Sequence, residues 1–378
     1  MNWMKTTLCI GALGLSNQLL AEVGGTDDIR HSTVEGRTPE VAVAVGSILT
    51  LQHASDSRIH DEGLVSVDIV ATYLTRTGRW LLYVEGDTSP NLQGVSTLLP
   101  EANQDAGAAV DRDDKGRLQV SELNYLRDLG ANALALGLIN PAGPVDNSDI
   151  ANSEASEFLG TTLVNNPTIA FPDYALGMVY FYRPAANKLE LTFLLTSSNG
   201  LGDNPDKSYA ELVDVTAAGK GVFAVTEVKW SMKQQHIWRM GVWLQTADNA
   251  YLNGSGNTAD NYGVYLSADH QLGQHRLNVR LGLANPTVSE AAQFIGFAVE
   301  HPLGNHTAGI GYTKTFVSDQ AVGKADRSQY EAYIRFSLDK NLSLTPSLQR
   351  IQNSNFDNSG TTVDSDVYVI GVRASYEY

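Results

Sequence analysis

The chain has 378 residues, a single cysteine and a formal charge of −16, with 34 glycines and only 12 prolines. The acidic balance argues against nucleic acid as a partner, and a lone cysteine excludes a disulfide framework. No stretch beyond the leader reaches transmembrane-helix length. Membrane residence must then use strands, because only helices and closed barrels satisfy the backbone in lipid.

Residues 1–21 read as a secretory signal peptide. Lys5 precedes an apolar run from Thr7 to Leu15, and Ala21 offers a cleavage site, although Leu19 fits the minus-three position poorly. Cys9 lies inside the apolar run, so the mature chain has no cysteine, and loss of Lys5 takes its charge to −17. Residues 22–40 form a polar lead-in without a convincing strand, expected on the periplasmic side. Residues 41–378 then read as one barrel domain, although length alone also permits two soluble domains. Strands are predicted at 41–53, 64–76, 79–87, 117–127, 131–139, 173–184, 187–198, 220–233, 235–248, 261–272, 274–286, 293–303, 305–318, 327–340, 341–353 and 365–378. The even count of sixteen is what a bacterial single-chain barrel requires.

Connection lengths alternate. After even-numbered strands the turns are minimal, marked by Gly78, Leu129-Gly130, Ala185-Ala186, Lys233–Gln235, Gly273, Gly304 and Lys340-Asn341. After odd-numbered strands the loops are long, the longest being 88–116 and 140–172. Short turns at one end and long loops at the other are the pattern of an outer-membrane barrel, with both termini at the periplasmic end. Strand periodicity agrees: Tyr368, Ile370, Val372, Ala374, Tyr376 and Tyr378 share one face of the last strand, and Val367, Val369, Gly371, Arg373, Ser375 and Glu377 the other. Trp80, Trp230, Trp238, Tyr182, Tyr376 and Tyr378 all fall near short turns or the C-terminus, where an interfacial girdle would lie. The fold class expected is therefore all-β, a 16-stranded antiparallel transmembrane β-barrel with long extracellular loops; that some of them fold inward is what the family resemblance given below implies.

Other chemistry is sparse. Asp111-Arg112-Asp113-Asp114-Lys115-Gly116, ending at Glu122, nearly spells a calcium loop, but Lys115 occupies a ligand position and a strand claims the segment after Gly116. His53, His60, His236, His270, His275, His301 and His306 are scattered, without motif spacing to a Ser or Asp. No catalytic residue, metal site or cofactor is expected.

Several segments resemble the carbohydrate-selective porin family (the OprB type). Tyr330-Glu331-Ala332-Tyr333-Ile334-Arg335-Phe336, then Asn341-Leu342-Ser343-Leu344-Thr345-Pro346-Ser347-Leu348-Gln349, is similar to that family's closing strands, with Ser347 where the family often has Asp. Gly371-Val372-Arg373 matches its final strand, and the chain ends in Tyr378 where such barrels usually end in Phe. Arg117 to Leu123, Phe158 to Pro172 and Gly263 to Asp269 fit in the family's order. The resemblance implies a sixteen-stranded diffusion channel for small sugars, narrowed by inward loops; the residues read by themselves give only the barrel and a polar lumen.

A sugar path needs groups that exchange hydrogen bonds with hydroxyls, aromatic faces for the ring, and weak binding that allows exit. By alternation the inward candidates are the acceptors Glu85, Glu122, Glu227 and Glu331, the forked donors Arg239, Arg280, Arg335 and Arg373, the rings Trp243 and Tyr333, and the amide Gln349. The alternative for each is a wall charge that holds barrel shape. The expected partners are small sugars, outer-membrane lipid and lipopolysaccharide; monomer and homotrimer both remain open. The rival functions are a general diffusion porin of other selectivity and an outer-membrane barrel enzyme, since fold does not exclude catalysis.

Overall fold

A strand with one apolar and one polar face must bury or pair both edges, and this chain does so by closing on itself. In the computed structural model the described residues are 39–106, 115–184, 188–202, 209–216, 219–232, 236–354 and 366–378. The signal peptide, most of the 22–40 lead-in, Asp111–Asp114 of the calcium-like segment and the turns at Ala185-Ala186 and Lys233–Gln235 lie outside them. The strands are β1 (Glu40–Ala54), β2 (Glu62–Leu74), β3 (Gly78–Asp87), β4 (Leu118–Leu129), β5 (Asn132–Ile139), β6 (Ala175–Tyr182), β7 (Leu189–Ser197) and β8 (Val222–Met232). They continue with β9 (His236–Ala250), β10 (Thr258–Leu272), β11 (His275–Ala284), β12 (Ala291–Leu303), β13 (His306–Val317), β14 (Arg327–Ser337), β15 (Leu342–Gln352) and β16 (Asp366–Glu377).

Each strand pairs antiparallel with its sequence neighbours, and β1 closes the barrel on β16. Val45 and Tyr378 exchange N–H···O bonds of 2.9 Å at the seam. All sixteen predicted strands are present with boundaries shifted by a few residues; β10 starts earlier than expected and β14 stops sooner. Among the short turns, Gly130, Gly273 and Gly304 have φ of 71, 63 and 65°. Each is the first central residue of a two-residue turn, a position that a twisted hairpin reserves for glycine.

The outward faces carry Leu281, Leu283, Ile310, Leu348, Ile370 and Val372, all exposed on the isolated barrel. At the short-turn end the exposed rings are Trp80, Tyr182, Trp230, Trp238, Tyr376 and Tyr378. Trp230 faces Trp238 across β8 and β9, and Trp80 lies 5.0 Å from Tyr125.

The inner wall is not uniformly polar, which alternation alone does not reveal. Val367, Val369, Ile351, Ala54 and Ile59 form a buried patch under Val95, Leu98, Leu99 and Ala102. Across the barrel, Phe223, Val225, Trp243, Tyr265, Phe181 and Val179 pack with Val145 and Ile169, with Phe171 against them. Both patches are seats for segments that enter from the long-loop end. A bulge between Tyr83 and Val84 of β3 and their partners on β4 places Ser121 and Glu122 both inside.

Candidate functional site

Among the described residues two segments cross into the lumen, and Leu201 and Leu212 of the β7–β8 connection pack beside them with Val70, Leu81, Tyr83 and Tyr174. The first joins β3 to β4 and carries a single-turn helix, α1 (Val95–Leu98), followed by a 3-10 turn over Pro100–Ala102. Glu62 of β2 accepts the Asn91 N–H at 2.7 Å and the Ser96 N–H at 2.6 Å. Gln52 and Gln349 both donate to the Ala102 carbonyl, at 3.1 and 2.9 Å. Gln329 donates to the Glu101 carbonyl at 2.7 Å, and Ser66 to Asp105 at 2.8 Å. The apolar side of α1 settles on the β16 patch, so the segment is held by hydrophobic contact, by amides from β1, β14 and β15, and by Glu62 and Ser66 of β2.

The second segment, 140–174, joins β5 to β6 and crosses the interior. It contains α2 (Thr161–Val164). Its backbone is clamped by wall charges of both signs. Glu122 accepts the Asn140 N–H at 3.1 Å, and Glu227 accepts the Asp146 N–H at 2.8 Å. Asp269 accepts from Ser148 Oγ at 2.8 Å and is paired with Arg239 at 2.7 Å. Arg280 binds four acceptors: the carbonyls of Asp146 (3.0 Å), Leu163 (3.0 Å) and Val164 (2.7 Å), and Asn152 Oδ1 (2.8 Å). Arg335 binds the Ser156 carbonyl at 2.6 Å. Arg373 binds those of Glu154 and, at 2.7 Å, Glu157.

The logic is simple. An inserted loop carries unmatched N–H and C=O groups that water no longer serves, and each must be paired. Carboxylates on the wall take the donors and guanidinium groups take the acceptors. At α2 the two signs are ordered: Glu331 accepts the Leu159 and Gly160 N–H groups (3.0 and 2.8 Å) at its start, while Arg280 binds its final carbonyls. That arrangement complements the unsatisfied ends of a helical turn. Close approach requires small wall residues. A Cβ on Gly282 would lie 2.0 Å from Thr168 Oγ1, and one on Gly311 would lie 2.5 Å from Leu163 Cδ2.

All eleven predicted site residues face the interior, and the structure sorts them. Glu122, Glu227, Arg239, Arg280, Glu331, Arg335 and Arg373 gather around the 140–174 segment, and Gln349 holds the other segment. Tyr333 donates to Glu300 and packs edge-on against Phe158 at 5.0 Å. Trp243 lies 6.2 Å from Phe223, beneath Phe171 in the same apolar cluster. Glu85, which accepts Ser121 Oγ at 2.5 Å, borders open space. Sequence reasoning missed Glu62 and Gln329, although Gln329 is in phase with Glu331 and Tyr333. It also missed the loop carboxylates, for which strand alternation provides no signal.

The histidines gather outside rather than within. His236 and His270 bring Nδ1 atoms to 3.0 Å, and His275 stacks on His301 at 4.6 Å, all near the short turns. Among the described residues no group of three or more His, Cys, Asp or Glu is arranged to hold a metal ion.

Between β3 and the two inward segments lies a cavity of about 320 Å3. Glu85, Asp105, Glu154, Asp173 and Asn140 present acceptors to it, with Phe171 and Tyr174 beside them. Three loop carboxyls titrate unusually high. Burial pushes Asp105 up to about 6, with Ser66 opposing and Glu85 adding to the rise. Burial raises Asp146 to about 7 despite Arg280. It raises Glu157 to about 7 as well, reinforced by Glu300. Asp146 is also a non-glycine residue at φ 51°, kept there by Glu227 on its N–H and Arg280 on its C=O.

Against known structures, Pseudomonas putida OprB in a high-pH form aligns with a TM-score of 0.68 at 13% identity, over 90% of this chain and 94% of that one. The barrel is porin-like. Two variants of Rh. blastica porin align with TM-scores of 0.55 and 0.54 at 11% identity, each over 90% of this chain and 100% of theirs. No family model matches the sequence, and no curated protein matches it. At these identities the likeness is one of fold, a closed sixteen-stranded porin-like barrel.

Proposed function

We propose that the protein is an outer-membrane porin through which small sugars diffuse passively, without cofactor, energy input or catalysis. The observation that carries this reading is the cavity between the two inward segments, which sets hydroxyl acceptors beside the rings of Phe171 and Tyr174. Neutral sugars need that combination of polar acceptors and ring faces, with no single tight site, so that entry and exit both remain favourable. The preference for sugars over other solutes comes from the sequence resemblance to carbohydrate-selective porins. In this reading Glu85 meets the solute directly. The clamping residues Glu122, Glu227, Arg239, Arg280, Glu331, Arg335, Gln349 and Arg373 act on it through the segments they hold. Trp243 and Tyr333 act by seating Phe171 and Phe158. The apolar outer face meets outer-membrane lipid, the long loops face lipopolysaccharide, and both termini lie in the periplasm.

The test is conductance of the purified protein in planar bilayers. Ion current should fall saturably as mono- or disaccharide is added. A current indifferent to sugar would favour a general diffusion pore. Loss of all current, with a lipid or peptide substrate turned over instead, would favour a barrel enzyme.

A further inference from the structure

We infer that His236 and His270 form a two-histidine binding site for a divalent transition metal of the copper class. This goes beyond the porin reading and does not depend on which solute passes. The two residues stand directly opposite each other at the last pair of the β9–β10 ladder. His236 is in phase with Trp238 and Met240, and His270 with Val264, all exposed, so both imidazoles lie on the outer face beside the short turns. Opposed positions of an antiparallel pair point to one face, and here the two Nδ1 atoms meet at 3.0 Å. Trp238 packs edge-on against His270 with ring centroids 5.1 Å apart. The two histidines are 34 residues apart in the chain, so motif spacing gives no sign of the pair.

The separation of the nitrogens selects the geometry. Imidazole–metal bonds of about 2.0–2.1 Å meeting at a right angle put two nitrogens about 2.9 Å apart, whereas a tetrahedral angle needs about 3.3 Å. The pair therefore suits adjacent corners of a square-planar or tetragonal ion, the preference of divalent copper and nickel, and of the two copper binds such ligands more tightly. Without metal, one Nδ1 donates its proton to the other. On binding, the donating ring carries that proton on Nε2 instead. Both Nδ1 lone pairs then face the ion, and no net proton is released. Among the described residues no third His, Cys, Asp or Glu joins the pair, which leaves the remaining positions of the ion to water. The neighbouring histidines are arranged differently. His275 stacks on His301 with ring planes 26° apart, and stacked rings do not aim their lone pairs at one point.

Trp238 supplies the readout, because a paramagnetic copper ion held by His270 quenches an indole in contact with that ring. The full mature chain, without a polyhistidine tag and with Trp238 as its one remaining tryptophan, is folded in detergent micelles and titrated with copper(II) chloride. Its emission should fall saturably at micromolar ion and return on addition of EDTA. Electron paramagnetic resonance of the bound ion should give a tetragonal spectrum coupled to two imidazole nitrogens. His236→Ala and His270→Gln, their folding checked by heat-modifiable migration, should each abolish the saturable quenching, and His301→Ala should keep it. Absence of saturable quenching in the parent protein overturns the inference and leaves a hydrogen-bonded histidine pair. Quenching that survives His270→Gln, or that is lost in His301→Ala, overturns the assignment of the ligands, as does a spectrum without imidazole coupling. Sugar-dependent conductance is a separate measurement, so failure here and failure of the porin reading are told apart.

Discussion

Arg280 has its side chain buried and surrounded by acceptors from three stretches of one inserted segment. Lysine could not replace it, because one ammonium lacks the planar fork that reaches carbonyls on two sides. Replacing Arg280 with Ala leaves buried acceptors unpaired, at a cost of about 1–3 kcal/mol for each that water does not reach. The barrel ladder does not depend on this residue, so the cost falls on the inserted segment. R280A should keep the heat-modifiable barrel and show larger, noisier single-channel currents as the segment loosens. A variant with wild-type conductance and unchanged protease resistance in residues 140–174 would show that the clamp does not govern the opening.

At the scale of the element, the 140–174 segment couples its packing to pH. Asp146 and Glu157 titrate near 7 in the folded protein, against about 4 when unfolded. A carboxyl with a raised folded value favours the packed state in its neutral form. That contribution is complete below about 4 and is lost as pH rises from about 4 to about 7. Above that window both groups are ionised, Asp146 beside Glu227 and Glu157 beside Glu300. Single-channel records should accordingly be quiet at acidic pH and show more flicker towards pH 8. Records that stay equally quiet across this range would mean that these two carboxyls do not control the segment. The same segment was legible in the sequence as a loop too long to be a simple turn. Its inward course was legible only through the family resemblance, since nothing in its own composition says where it goes.

The whole molecule is a closed sheet whose two ends differ. The tryptophans report its orientation in lipid. Trp80, Trp230 and Trp238 are exposed on the outer face at the short-turn end, whereas Trp243 points inward and is 3% exposed. In proteoliposomes, brominated lipids should quench the first three in variants retaining one tryptophan each and spare Trp243, which serves as the internal reference. Equal quenching of all four would contradict the assignment of inner and outer faces.

By itself the sequence determined the barrel: its sixteen strands, the alternation of inner and outer faces, the short-turn end and its aromatic belt. These follow from local rules, because side-chain direction reverses at every residue of a strand and a two-residue turn demands particular backbone angles. Only the tertiary structure decided what the inward residues touch. Arg280 reaches Val164 across 116 residues of chain, and Arg373 reaches Glu157 across 216. No period or motif encodes contacts at such separations. They arise because closing the sheet brings distant strands to face one lumen, and because a loop buried there must find a partner for every backbone polar group it takes from water.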